Sequence, residues 1–420
     1  MYKKYVLDNQ LRLILAPLKA TKAVTVLVLV GTGSRYESKE INGISHFLEH
    51  MFFKGTKKRP NKLLIAETLD RIGGEYNAFT GKETTGFWAK VASQHLDLAL
   101  DWISDILLNS KFESQEIEKE RGVILEERNM YLDTPMKYVG ELWEELLYGD
   151  QPIGWPIVGT IKTISSLQRK QFLDYYKRHY LSNNTVVVIA GGFDSKIAKK
   201  LAEKNFVDLT NKDNGIKEKT IENQKKPESL IYYKKTDQTH LCLGVRAYDL
   251  FHPDKYALSL LSIILGGNMS SRLFISVREN RGLAYYIRTS VDLFTDTGYL
   301  VTQAGVDNKK VEQAIKTILK EYKQIARTVK ESELQKAKDY LKGISLLEME
   351  SSDAIASFYA AQEILTNKIL TLSQKFAQID RVKLEDIQRV ACDIFQPEKL
   401  NLALIGPFRD KKFFQNLLEI

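Results

Sequence analysis

Apolar residues follow a strand-like pattern near the start of the chain and again just past its middle. The segments AVTVLVLVGTGSR, from residue 23, and HLCLGVRAYDL, from residue 240, are rich in β-branched residues and leucine and predict buried strands. An apolar stretch with helical spacing follows each of them. Near the end of each half, VVVIAGGFDSK and LALIGPFRDKK predict one further strand.

These similarities predict that the chain is an internal duplication. An alignment of the two halves that places Gly191 on Gly406 keeps the strand and helix patterns in step. Between the halves, residues 209–229 (LTNKDNGIKEKTIENQKKPES) are the most polar, charge-mixed stretch and predict an exposed linker. We therefore predict an N-terminal domain over residues 1–208 and a homologous C-terminal domain over residues 230–420.

Composition and charge narrow the class of protein. A chain of 420 residues that is 44% hydrophobic and 27% charged is typical of a globular protein with more than one core. The net charge of +8 comes from 61 basic residues interspersed with 53 acidic ones, which favours a solvated surface over a nucleic-acid site. Cys242 and Cys392 form no C-x-x-C pair, which excludes a disulfide scaffold and a cysteine-rich zinc site.

Targeting signals are not visible in the sequence. The first residues enter a strand-like pattern without a signal-peptide core, and no stretch approaches the ~18 uncharged apolar residues of a membrane span. We therefore expect a cytoplasmic protein without a membrane or nucleic-acid partner.

The stretch HFLEH contains two of the six histidines of the chain. The apolar residues around it have helical spacing, and Asn42 or Ser45 can cap the helix. On a helix, His46 and His50 lie on one face with Cβ atoms about 5–6 Å apart, so both imidazoles can bind one metal ion such as zinc. Glu49 lies beside the pair and can take a proton from a metal-bound water.

The second half of the chain tests the alternative of two structural histidines. In the alignment of the two halves, His46 and His50 fall on Leu261 and Leu265, within the apolar stretch LSLLSIILGG. A structural role shared by both copies predicts similar residues in both. Histidines added to one copy of a shared scaffold indicate a function instead.

A zinc site of this kind needs a third protein ligand and leaves one position open. The acidic segment ESQEIEKERGVILEERNMYLDTP predicts a helix over residues 114–132, where Glu126 and Glu127 compete for this role. A face that carries Glu120, Val123, Ile124 and Glu127 points inward, and Glu126 lies about 100° away from Glu127. This favours Glu127 as the ligand and leaves Glu126 as its possible replacement. Glu120 would orient a ligand or the water.

These motifs resemble those of the pitrilysin/insulinase zinc peptidases. The H-x-x-E-H motif is followed, at a separation within the family range, by Glu127 in the segment ERGVILEE. HFLEHMFFKGT, GGEYNAFTGKETTGF and KERGVILEE all match, and SSRLFISVRENRGLAYYI resembles the R-x6-Y element of the second domain of the family. The match covers essentially the whole chain and is closest to the mitochondrial processing peptidase branch and its bacterial relatives.

The resemblance implies a zinc metalloendopeptidase with an inverted motif and one Zn2+ per chain. His46, His50 and Glu127 would bind the ion. Glu49 would be the general base, and Glu120 a supporting acid. The activity implied is the hydrolysis of peptides or unfolded segments by a water that Glu49 activates at the zinc ion.

The same resemblance implies a role for residues outside the metal motif. Arg278 and Tyr285 would stabilise the negative charge that develops on the substrate carbonyl. Asn77, Ala78 and Phe79 match the substrate-binding strand of the family, where a peptide adds to the edge of a sheet. The alternatives are an ion pair with a neighbouring acid for Arg278, core packing for Tyr285 and an ordinary hairpin for the strand.

The fold implied is α+β, with two homologous domains that enclose a chamber, each a mostly antiparallel sheet packed with helices. Family members of this length often pair, so we expect a homodimer or a heterodimer with a paralogue. A non-catalytic scaffold or partner subunit, as in respiratory-chain core proteins, is the alternative function. Such relatives commonly lack parts of the metal motif, whereas this chain retains all of it.

Overall fold

The computed structural model describes residues 2–420, which divide into two compact units. Unit 1 comprises Met1–Asn129, Pro156–Glu218 and Ser345–Ile369, and unit 2 comprises Met130–Trp155, Lys219–Ile344 and Leu370–Ile420. Each unit thus includes one segment from the opposite half of the sequence. The predicted domain limits at residues 208 and 230, with a linker between them, stay a prediction.

The described residues form strands and helices in a closely similar order in the two halves, except that the first half begins with one additional strand and the second half has a π-helical segment in place of one helix. The first half contains β1 (Lys3–Val6), β2 (Arg12–Pro17), β3 (Ala23–Val30), α1 (Ile44–Met51), α2 (Lys62–Asp70), β4 (Glu75–Thr80), β5 (Thr85–Ala92), α3 (Leu96–Asn109), α4 (Ser114–Asp133), α5 (Pro135–Tyr148), α6 (Ile161–Ser166), α7 (Arg169–His179), β6 (Thr185–Gly191) and α8 (Ser195–Asn205). The second half contains β7 (Glu228–Tyr233), β8 (Gln238–Ala247), α9 (Lys255–Gly266), a π-helical segment (Phe274–Glu279), β9 (Ala284–Leu293), β10 (Gly298–Asp307), α10 (Val311–Thr328), α11 (Glu331–Glu348), α12 (Ser352–Thr366), α13 (Leu372–Arg381), α14 (Leu384–Ile394), β11 (Leu400–Gly406) and α15 (Lys411–Asn416).

These bounds confirm that the halves are homologous. In the alignment that places Gly191 on Gly406, β6 and β11 begin and end at equivalent positions, and so do α7 and α14. The helix α4 also begins at the predicted residue, Ser114. None of the helices in residues 2–420 combines the length and the apolar character that crossing a membrane requires.

Each unit contains one mixed sheet. In unit 1 the strand order is β1-β2-β6-β3-β5-β4, where only β2 and β6 pair in parallel. In unit 2 the order is β7-β11-β8-β10-β9, and the parallel pair is β7 and β11. Both sheets are mostly antiparallel and packed with helices, which confirms the predicted α+β class.

The central strand β3 is buried on both faces, as its nearly continuous apolar sequence requires. On one face, Leu27 and Leu29 join alternate residues of β2 and β6 in a cluster with Ile355, Ala356 and Tyr359 of α12. The helices α1 and α3 pack against strands of the same sheet. A helix from the second half of the sequence therefore completes the sheet that carries the predicted metal motif.

Polar contacts also hold α12 within unit 1. The hydroxyls of Thr25 and Ser352 lie 2.8 Å apart in a buried position. The buried carboxylate of Glu363 accepts a hydrogen bond of 2.6 Å from Lys4, and Arg12 lies 3.5 Å from the same oxygen. These cations compensate the negative charge of a carboxylate that would otherwise be buried without a counter-charge.

Unit 2 has the reciprocal arrangement. Trp143 and Leu147 of α5 pack with Val301, Ala403 and Ile405 on one face of its sheet. The larger core on the other face contains buried residues of α9, α10 and α14. Because α5 precedes the predicted linker, the sheet of unit 2 is completed by a helix from the first half of the sequence.

Candidate metal centre

The helix α1, which carries HFLEH, begins at an unusual turn. Gly43 has φ +96°, and a Cβ at this position would lie 2.5 Å from the carbonyl oxygen of Val158. The predicted caps, Asn42 and Ser45, do not cap the helix. Instead, the carboxylate of Glu37 accepts hydrogen bonds of 2.8 Å each from the backbone N–H groups of Gly43 and Ser45. It also accepts one of 2.9 Å from the side-chain amide of Asn42. Burial raises the pKa of Glu37 to about 7.

The three predicted ligands lie together. The imidazole rings of His46 and His50 have centroids 4.7 Å apart on α1. Glu127 of α4 places Oε1 3.7 Å from Nε2 of His46 and Oε2 3.6 Å from Nε2 of His50. One ligating atom from each residue lies within 4.8 Å of the other two. Glu126 is exposed on α4, so Glu127 is the better candidate of the two carboxylates for the third ligand. The prediction that Val123 points inward is wrong, because its side chain is exposed.

This cluster fits a zinc ion. Ligands bound at about 2.0–2.2 Å in a tetrahedron lie roughly 3.3–3.6 Å from one another, close to the distances between Glu127 and the two imidazoles. These distances exceed those of hydrogen bonds. Burial lowers the pKa of His46 to about 3, and the nearby His50 acts in the same direction. A neutral imidazole is the form that binds zinc.

Glu120 supports the cluster from the second turn of α4. Its Oε1 lies 2.8 Å from Nδ1 of His50, and its Oε2 lies 2.5 Å from Nζ of Lys54. Burial alone would raise the pKa of the Glu120 carboxyl, but the hydrogen bonds from His50 and Lys54 outweigh it and the pKa lies below its usual range. An ionised Glu120 accepts a hydrogen bond from Nδ1–H of His50 and leaves Nε2 of this ring free to bind a metal.

Glu49 lies beside the cluster on α1. Its Oε2 accepts a hydrogen bond of 2.5 Å from the hydroxyl of Thr80, at the end of β4. Burial raises the pKa of Glu49, assisted by the charge of Glu127 and opposed by Thr80 and His50. A carboxylate whose proton affinity is raised in this way is better suited to act as a general base near neutral pH.

The strand β4 contains Asn77, Ala78 and Phe79 and lies at the edge of the sheet of unit 1. It pairs with β5 through a tight hairpin, and β5 is its neighbour on the inner side. Asn77 and Phe79 are exposed and Ala78 is buried. The strand is therefore part of a hairpin and also an open edge. Its role in binding substrate stays a prediction.

Arg278 and Tyr285 belong to unit 2. Arg278 lies in the π-helical segment, with Nε 4.0 Å from Oε1 of Glu279 and its guanidinium 4.8 Å from the ring centroid of Phe274. π-Helical turns are rare overall, and those that occur are often found at functional sites. Tyr285 is 75% exposed, which argues against core packing. The predicted role of both residues at the substrate carbonyl stays a prediction.

Sequence reasoning missed three residues of this region: Glu37, Lys54 and Thr80. Lys54 follows His50 at the spacing of one helical turn, and this spacing could have indicated a side chain near the metal motif. Thr80 directly follows the predicted substrate strand. Glu37 has no comparable local signal, because its contact with α1 depends on the turn at Gly43.

The sequence matches two models from one family of peptidases. Residues 12–161 match the sequence model of the family described as insulinase (peptidase family M16), and residues 166–341 match that of the peptidase M16 inactive domain. The chain is 37% identical over 410 residues to a Bacillus subtilis (strain 168) protein named uncharacterized zinc protease YmxG, covering 97% of this chain and 98% of that protein.

Two solved structures show the same fold. A protease from Helicobacter pylori aligns with a TM-score of 0.91 and 25% sequence identity over 97% of this chain and 99% of that chain. A chain of Complex III2 from Candida albicans, with Inz-5 bound, aligns with a TM-score of 0.85 and 20% identity over 100% of both chains. The second likeness is one of fold alone.

Proposed function

We propose that this chain, which belongs to the insulinase family of peptidases (family M16), is a zinc-dependent endopeptidase that hydrolyses peptides or unfolded segments of proteins. The observation that carries this proposal is the convergence of His46, His50 and Glu127 around one point, with Glu49 beside them. The names of relatives support it, since proteins 37% and 33% identical to this chain over nearly its whole length are named zinc proteases.

The metal would be one zinc ion per chain, held by His46, His50 and Glu127. When bound, zinc supplies a Lewis acid that polarises the peptide carbonyl and lowers the pKa of a water molecule to about 7. Burial keeps the imidazole of His46 in its neutral, metal-binding form, and the acceptor that Glu120 offers to Nδ1 of His50 leaves Nε2 of that ring for the ion.

Proton transfer would be the task of Glu49. Its carboxylate takes a proton from the attacking water and gives it to the nitrogen of the leaving amine, so the same group serves as base and then as acid. The hydrogen bond from Thr80 supports this role because it fixes one oxygen of Glu49 and leaves the other available to the water.

Substrate binding would use the open edge of β4. A peptide that adds to Asn77, Ala78 and Phe79 as a further strand is recognised through its backbone, which suits a peptidase with many substrates. Arg278 and Tyr285 would stabilise the negative charge on the substrate carbonyl oxygen. A chamber between the domains would admit short or unfolded chains, and the working form would be a homodimer or a heterodimer with a paralogue.

The alternative is a non-catalytic scaffold or partner subunit. The match of residues 166–341 to the model of an inactive peptidase domain leaves this alternative open. The complete set of His46, His50 and Glu127 favours the enzyme, and so does the retained Glu49, since a scaffold needs neither a metal site nor a general base.

One experiment distinguishes the two functions. The purified protein is incubated with a mixed peptide library, and cuts are mapped by mass spectrometry for the untreated, chelator-stripped and zinc-restored protein. We expect cuts in the first and third samples, few in the second, and about one zinc per chain by elemental analysis. A protein that binds zinc but leaves every peptide intact would support the scaffold. Native mass spectrometry of the same sample tests the dimer.

A further inference from the structure

We propose that Lys54 is a positioning residue of the candidate metal centre, which holds the carboxylate of Glu120 so that Glu120 can hold the imidazole of His50. This inference rests on the zinc site of the proposed function and extends it to a residue outside the metal motif. The inference is based on a chain of contacts that runs from Lys54 through Glu120 to the candidate ligand His50.

The contacts occupy both oxygens of Glu120. Nζ of Lys54 lies 2.5 Å from Oε2, while Nδ1 of His50 lies 2.8 Å from Oε1. A carboxylate with a separate donor on each oxygen cannot rotate without losing one of them. The orientation of Glu120 towards His50 is therefore fixed by Lys54 as well as by His50 itself.

Shielding from water makes the contact with Lys54 effective. The side chains of Lys54 and Glu120 are 18% and 8% exposed. A hydrogen bond between two charged groups is stronger than a neutral one, and it is weakened less by solvent when it is buried. Without the amine, Oε2 of Glu120 would be left without its donor, and a buried acceptor without a donor is costly. The carboxylate would then turn towards another donor and release the ring of His50.

His50 depends on this support more than His46 does. Its side chain is 23% exposed, against 11% for His46, and it lies in the last turn of α1. Packing around the buried His46 holds that ring, whose Nδ1 has no hydrogen-bond partner among residues 2–420. Glu120 fixes the tautomer and the ring of His50, so a change at Lys54 should be felt through this one ligand.

The backbone places Lys54 where this contact is possible. The N–H of Lys54 donates to the carbonyl of Met51, which ends α1 in a tight turn. Gly55 follows with φ +140°, and a Cβ there would lie 2.6 Å from the carbonyl oxygen of Pro60. The turn thus brings the side chain of Lys54 back towards α4, one helical turn beyond His50.

The test is a double-mutant cycle on zinc affinity, measured without any substrate by competition with a chromophoric chelator. The variants are Lys54→Met, Lys54→Arg, Glu120→Ala and the double variant Lys54→Met/Glu120→Ala. The matched control is Lys58→Met, which removes an exposed lysine that pairs with Asp101 at 2.5 Å. Circular dichroism and the melting temperature verify that each variant is folded, and Lys54→Gln replaces Lys54→Met in the cycle if the latter does not fold.

We expect Lys54→Met to weaken zinc binding about tenfold, within the range for residues that orient a metal ligand. Lys54→Arg should stay closer to the wild type, and Lys58→Met should equal it. The double variant should bind zinc as Glu120→Ala does, because Lys54 acts through Glu120. Wild-type affinity in Lys54→Met, or losses that add in full in the double variant, would overturn the inference.

This outcome is separate from that of the proposed function. If the cycle behaves as expected and no peptide is cut, the endopeptidase fails while the role of Lys54 stands. If peptides are cut and the cycle shows no coupling, the reverse holds. A wild-type protein that binds no zinc would overturn both.

Discussion

The hydroxyl of Thr80 donates a hydrogen bond of 2.5 Å to Oε2 of Glu49. Thr80 is the last residue of the edge strand β4, and Glu49 lies on α1 between the two histidines of the motif. One short bond thus connects the strand proposed to bind substrate with the carboxylate proposed to move the proton. A peptide that shifts the end of β4 would also shift Glu49.

Replacing Thr80 by Val keeps the shape of the side chain and removes the donor. We expect kcat to fall by about tenfold to about a hundredfold, since a hydrogen bond to a charged group contributes roughly 1.5–3 kcal/mol. KM and zinc content should change little, because no ligand and no backbone group is lost. Thr80→Ser keeps the hydroxyl and should retain most of the activity. A Thr80→Val enzyme with wild-type kcat would show that Glu49 needs no such support.

Replacing Glu49 by Gln tests the general base. The variant should retain zinc, because Glu49 is not among the three ligands, and should lose at least about a hundredfold in the rate of peptide hydrolysis. Elemental analysis and a quenched-fluorescent peptide measure the two properties on one sample. Unchanged turnover would refute the role of Glu49 as the base.

Adjacent glutamates offer a matched pair for the third ligand. Glu127→Ala should lose zinc, since its carboxylate lies within 3.7 Å of both imidazoles, whereas Glu126→Ala, on the exposed side of α4, should retain it. His50→Ala should lose both zinc and activity. The number of zinc ions per chain after dialysis shows which glutamate binds the metal. Loss of zinc from Glu126→Ala alone would identify Glu126 as the ligand.

His179 predicts a pH dependence of stability in unit 1. Burial, and secondarily the charge of Arg178, lower its pKa from 6.5 to about 4, and its ring packs between Tyr175 and Tyr36. The unfolded chain therefore binds a proton more readily than the folded one. The stabilising contribution is complete above pH 6.5 and is lost as the pH falls towards 4.

The loss should amount to about 2 kcal/mol between about pH 7.5 and about pH 5. Urea unfolding of the metal-free protein at these two values measures it, and His179→Phe serves as the control that cannot titrate. The quantity compared is the change in the free energy of unfolding with pH, so a constant effect of the substitution does not matter. Equal changes in the two proteins would contradict the prediction.

The sequence was informative wherever the pattern is local. The spacing of His46 and His50 on an apolar-periodic helix predicted one shared face, and the period of α4 favoured Glu127 over Glu126. The alignment of the two halves predicted the equivalence of β6 and β11, whose bounds confirm it. These features depend on helical or strand periodicity, which a sequence displays directly.

Contacts between distant segments could not be predicted in this way. Glu37 caps α1 from outside the helix, and Thr80 reaches Glu49 from a different element of the fold. Nor does an apolar helix face show which sheet it will cover, so the exchange of α5 and α12 between the units was not foreseen. Periodicity identifies a buried face but not its partner.

The place of α12 has a consequence for the nascent chain. Ile14 and Leu29 pack against this helix, although it lies far along the second half of the sequence. When the ribosome has synthesised HFLEH, and even the whole first half of the chain, α12 has not yet been made. One face of the sheet of unit 1 is then still uncovered. Unit 1 therefore cannot complete its fold until Ile369 has emerged from the ribosome. Until then its apolar strands are exposed or covered by a chaperone.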